Sequence, residues 1–205
     1  MKTILLLGLL LWPALTWSQP VISGKPDVVG NELSPSEKPV ECVSEEGGYR
    51  VFFPPGCAKI VSKVPDLDRE PWDDDGPLSA MTYLSYCDRH GQKGDGCSIA
   101  AFWNLTDDQG GPPGPAQVVE RVERMLKDMG VSMVRQRPVR RLLEDGGLIE
   151  GVDVLAVDSS GGQAWLRGLL HDERIYLLAA WKADGELETD PSFIRFFQSF
   201  EPLEY

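Results

Sequence analysis

Between residues 116 and 129 apolar side chains recur every three or four positions, at Val118, Val119, Val122, Leu126 and Met129, and Gly130 follows. That spacing lines one helix face and the glycine suits a left-handed cap, so a helix over 116–129 is predicted. Elsewhere the period is two. Residues 49–53 form a short aromatic and β-branched run stopped by Pro54-Pro55-Gly56, and 78–87 alternates as a second strand, with a polar loop between. Residues 97–105 place Cys97, Ile99, Ala101, Trp103 and Leu105 on one face. After the helix come four strand-like stretches, 132–143, 148–158, 163–171 and 174–182, parted by Asp145-Gly146-Gly147, by Ser159-Ser160-Gly161-Gly162 and by Asp172-Glu173. Turns this short join antiparallel neighbours. A last helix starts after Asp190, takes Pro191 in its first turn and runs to 199, presenting Phe193, Ile194, Phe196, Phe197 and Phe200. The order βββαββββα predicts an α+β fold, an antiparallel sheet of six to seven strands packed with two helices.

The first eighteen residues obey a different pattern. Lys2, the apolar run 4–12 and the small-residue exit at Thr16-Trp17-Ser18 read as a signal peptide. Pro13 breaks the run well short of the roughly 20 residues that a membrane span needs, so cleavage after Ser18 is expected, with no stable membrane insertion. The expected address is secreted or periplasmic. Residues 19–41, rich in Pro, Ser, Gly and charge, read as a flexible leader, and 42–205 as a single α+β domain.

Export changes the meaning of the cysteines. Cys42, Cys57, Cys87 and Cys97 lie in the exported part, where thiols oxidise, and four allow three connectivities. A hairpin would bring Cys87 opposite Cys97, leaving Cys42 with Cys57. A zinc reading of Cys87, His90 and Cys97 lacks the close ligand pairs of common zinc modules. The net charge of −12 counts against nucleic acid as a partner, since it repels phosphates.

Three features were weighed as sites. Asp66, Asp68, Asp73, Asp74 and Asp75 crowd one loop with the oxygen ligands that calcium wants, but no glycine or glutamate stands where a calcium loop needs it, which favours a solvated loop. Arg135, Arg137 and Arg141 fall on one face of a strand as a patch for an acidic partner, or pair across the ladder with Glu150, Asp153 or Asp158. Pro138 in the same run marks an edge strand, open to strand addition. The aromatics Tyr83, Tyr86, Phe102, Trp103, Trp165, Tyr176 and Trp181 read as core, with Tyr83 and Tyr86, or Trp165 and Trp181, as a minor candidate for a ligand-stacking face. No catalytic residue is assigned. His90 and His171 stand in no recognisable arrangement with a nucleophile, and no hydrolase, phosphate-loop or metalloprotease motif is present.

Gly48-Tyr49-Arg50-Val51-Phe52-Phe53-Pro54 near the start, with Arg174-Ile175-Tyr176-Leu177-Leu178 and Phe196-Phe197-Gln198-Ser199-Phe200 near the end, resemble exported bacterial proteins of unknown function with a Mog1/PsbP-like fold. The resemblance covers most of residues 47–203 and implies a binding or assembly factor rather than an activity. The expectation is therefore a non-enzymatic exported module that holds an unknown protein or small ligand, without a cofactor. A hydrolase with a loop-assembled carboxylate/histidine site and a calcium-stabilised domain are the alternatives.

Overall fold

The computed structural model describes residues 38–63, 81–89, 95–103, 110–143 and 146–203. Two antiparallel sheets and two helices make up the α+β architecture. The smaller sheet joins β1 (Val40–Ser44), β2 (Tyr49–Phe53) and β10 (Glu201–Pro202), with β2 in the middle. The larger holds β3 (Cys57–Lys63), β4 (Met81–Arg89), β5 (Gly96–Trp103), β6 (Ser132–Leu142), β7 (Leu148–Val157), β8 (Gln163–His171) and β9 (Arg174–Lys182) in the order β3-β4-β5-β9-β8-β7-β6. Five of its strands, β5 to β9, carry described side chains throughout.

The expected single sheet is thus two, and the element order is longer than βββαββββα. The difference lies in β2. Its alternating burial turns Tyr49, Val51 and Phe53 down onto the large sheet while its backbone pairs with β1 and β10. A strand that lies over a sheet by its side chains closes a second layer instead of extending the first.

α1 (Pro115–Met129) forms as its period predicts. Gly114 donates its backbone N–H to Gln117 Oε1 at 2.8 Å, and Gly130 ends the helix at φ 67°, giving its N–H to Leu126 and Lys127. Val118, Val122 and Leu126 bury against Val152, Val154, Leu166, Ile175 and Leu177 on one face of the large sheet. The approach is close because position 168 has no side chain: a Cβ there would stand 2.6 Å from Val118 Cγ1. α2 (Pro191–Gln198) is capped by Asp190, whose carboxylate accepts from Ser192 N–H at 3.0 Å and pairs with Lys182 at 3.1 Å. It drives Phe193, Phe196 and Phe197 into the opposite face, among Tyr49, Phe53, Ile99, Trp165, Tyr176 and Leu178. The layers run α1, large sheet, then the small sheet with α2. β6 ends the strand order on one side, where Pro138 costs no ladder bond to a further neighbour.

Candidate functional site

β6 is an eleven-residue strand with four arginines and no carboxylate. Its register against β7 sets Arg135 opposite Leu155, Arg137 opposite Asp153, Val139 opposite Gly151 and Arg141 opposite Ile149. Residues paired across an antiparallel ladder project to the same face, so these four share the α2 face as the alternation predicts. An irregularity between Met133 and Arg135 takes up Val134 and breaks the alternation upstream.

The arginines are held in place by what they touch. Asp153 is 4% exposed on the otherwise apolar sheet face, and Arg167 on β8 grips it with both arms, at 2.6 Å from Nε and 2.9 Å from Nη2. Arg137 reaches the same carboxylate from β6, at 3.0 Å. Two guanidinium groups on one buried carboxylate satisfy its lone pairs and make it tolerable inside. The third arm of Arg167 donates to the Phe197 carbonyl at 3.0 Å, and its plane lies near the Trp165 and Phe197 rings. Arg141 donates to the Phe200 carbonyl at 2.7 Å, and burial, with Arg167 nearby, lowers its pKa from the usual guanidinium value. It keeps its charge at any physiological pH. Arg135 pairs with Glu188 in the segment before α2, and on the other sheet face Arg140 pairs with Glu150. The row therefore fastens α2 and the chain around it to the sheet. Cross-strand pairing was expected for Glu150 and Asp153, and both take an arginine. Asp158 does not: it closes the β7–β8 turn, accepting from Ser160 and Gly162. Burial pushes its pKa up, but those hydrogen bonds prevail and hold it below the usual carboxylate range.

Sequence reasoning passed over Arg167 and Glu188. Arg167 had a signal, since it interrupts Trp165 and Leu169 on a face that is otherwise apolar. Glu188 had none, because its partner lies 53 residues away.

The edge itself is open among the described residues. Met133 and Val134 are 47% and 59% exposed, Leu142 is 72% exposed and its cross-strand partner Leu148 42%. Of the five large apolar side chains exposed among the described residues, three lie on β6, Leu148 opens β7 beside Leu142 and Val43 lies in β1. Scattered exposed apolar residues are ordinary; a concentration along one strand edge is not.

Among the described residues the remaining sequence candidates do not come together as one site. Cys87 and Cys97 are cross-strand partners and both fully buried. Cys42 sits in the small sheet opposite Val51, and Cys57 opens β3. Asp66, Asp68, Asp73, Asp74 and Asp75 lie outside the described residues, as does His90. His171 is 6% exposed, with Nδ1 3.5 Å from the Leu148 carbonyl and Nε2 3.3 Å from the carboxylate of Asp172. Those contacts belong to the end of the β8–β9 hairpin. Trp165 lies stacked on Phe197 with centroids 4.3 Å apart, on the face away from Trp181, so the two cannot flank one ligand. A shallow groove of about 240 Å³ opens elsewhere, between Pro39, Phe52, Pro54, Pro55, Pro191 and Arg195.

No family model and no curated protein matches the chain. No helix of the described residues is long and apolar enough to cross a membrane.

Proposed function

We propose that this protein is an exported, non-enzymatic binding module that holds a partner in extended conformation along the outer edge of β6. One observation carries the reading: among the described residues, three of the five exposed large apolar side chains stand on an eleven-residue strand at the end of the sheet. An unpaired edge of that length offers a row of backbone donors and acceptors, and the side chains beside it supply apolar contact. Pro138 removes one donor from the row, and the irregularity at Val134 interrupts it nearer its start. The same pattern also guards edges against indiscriminate pairing, since charge, proline and a bulge all discourage it. A guarded edge favours a selected partner over any strand that drifts by.

Export rests on Lys2, the apolar run 4–12 and the small-residue exit at Ser18. The resemblance to Mog1/PsbP-like proteins fits the same reading, because members of that fold serve as binding or assembly factors. A hydrolase would use the His171–Asp172 pair, but His171 is spent on a hairpin end and the 240 Å³ groove is lined by other residues.

Strand addition is tested without altering the protein. Twelve-residue binders selected from a random display library are resynthesised with alternate backbone nitrogens methylated, on one edge or on the other. Binding lost on methylating one edge and kept on methylating the other supports the reading. Binders indifferent to methylation on both edges contradict it.

A further inference from the structure

We infer that the partner strand is acidic on one face and apolar on the other, which rests on the edge-docking reading above. A strand added beside β6 would set alternate side chains next to Arg135, Arg137, Val139 and Arg141 on the α2 face, since paired residues share a face. Its other side chains would meet Met133, Gln136, Pro138, Arg140 and Leu142 on the α1 face, where Met133 and Leu142 are exposed apolar groups and Arg140 is already paired with Glu150. The arginine face retains positive charge after its internal pairing. Arg135, Arg137, Arg141 and Arg167 face Asp153, Glu188 and Glu201, and Glu201 is shared with Arg50 at 3.8 Å. One positive charge is left over, in a chain of net −12. Arg135 and Arg137 are half exposed, and each guanidinium has five N–H donors, of which Asp153 and Glu188 occupy one or two. The donors still facing water suit carboxylates on a neighbouring strand.

A second copy of this chain does not fit the edge. Pairing two β6 strands antiparallel about a two-fold at Gln136 sets Arg135 against Arg137, and a two-fold at Pro138 sets Arg135 against Arg141. Like charges directly opposite repel. Carboxylates at those positions would attract, so the occupant is a different chain, alternating acid with apolar.

The probes are two capped twelve-residue peptides, one alternating Glu with Val and one alternating Lys with Val, followed by fluorescence anisotropy against the full mature chain. The Glu peptide is expected to bind about tenfold tighter than the Lys peptide in low salt and to lose most of that preference near 0.5 M salt. Arg135→Glu should weaken the Glu peptide about fivefold and strengthen the Lys peptide, with Arg135→Gln between them. Both variants must keep the parent circular dichroism, and because Arg135 also pairs with Glu188, Arg135→Gln controls for the loss of that pair without setting a second carboxylate against it. Equal binding of the two peptides, or a preference for lysine, overturns the acidic assignment. If equal binding still responds to methylation of one peptide edge, strand addition survives and only the charge inference falls. If methylation has no effect, both fall. A sedimenting mass that doubles at micromolar concentration while neither peptide binds assigns the edge to a second copy and overturns the inference.

Discussion

Asp153 carries more of the architecture than its single charge would indicate. It is a carboxylate buried between Arg137 and Arg167, and Arg167 in turn holds the Phe197 carbonyl. Removing the acid leaves Arg167, 17% exposed, without its counter-charge. Asp153→Ala should therefore cost about 3 kcal/mol in urea unfolding, nearer the lower end for a broken buried pair because Arg137 reaches water. A loss no larger than that of an exposed pair would show the carboxylate to be well solvated. The β8–β9 turn offers a change of opposite sign. Asp172 and Glu173 both take positive φ, 47° and 62°, as a two-residue hairpin turn requires, and a glutamate pays sterically for that conformation. Glu173→Gly should raise stability by about 1 kcal/mol, read as a shift in the melting midpoint. A destabilised variant would contradict the strain argument. At this scale the sequence was readable where chemistry alternates along one strand, as at Arg137 and Asp153. It was silent where partners are remote, as for Arg135 and Glu188.

Elements with a local signal were legible. α1 announced itself by its apolar period and its glycine cap, α2 by Asp190-Pro191 and its phenylalanines, and β6 to β9 by turns of two to four residues. β1, β3 and β10 were not anticipated. Each gains its identity from pairing: β10 is two residues long and is a strand only because Glu201 and Pro202 lie beside Arg50 and Tyr49. How closely α1 approaches the sheet was also hidden in the sequence, and Gly168 decides it. An alanine there would place its methyl 2.6 Å from Val118 and 2.7 Å from Val122. Gly168→Ala should lower stability by about 1–3 kcal/mol as the helix is forced outward. Trimming the helix with Val122→Ala in the same chain should return part of that loss, which non-additive double-mutant energies would reveal. Strict additivity would mean that the two positions do not touch.

Across the whole molecule, the two faces of the large sheet are spent on packing, one under α1 and one under the small sheet with α2. What the described surface keeps for other molecules is an edge. That edge is positive in a chain that is otherwise strongly acidic, and it collects the exposed Met133, Val134 and Leu142. The sequence pointed to this edge through Pro138 and the arginine cluster, but it could not show that the arginines also anchor α2, nor how much apolar surface stands beside them. The central claim is that a partner strand is held along β6. Amide hydrogen exchange of the mature chain, with and without the alternating Glu–Val peptide, tests it most directly. The account predicts that the peptide slows exchange at amides within residues 132–142 and leaves β1 unchanged. Protection centred on β1, or on the groove between Pro39 and Arg195, with β6 exchanging as before, would contradict it.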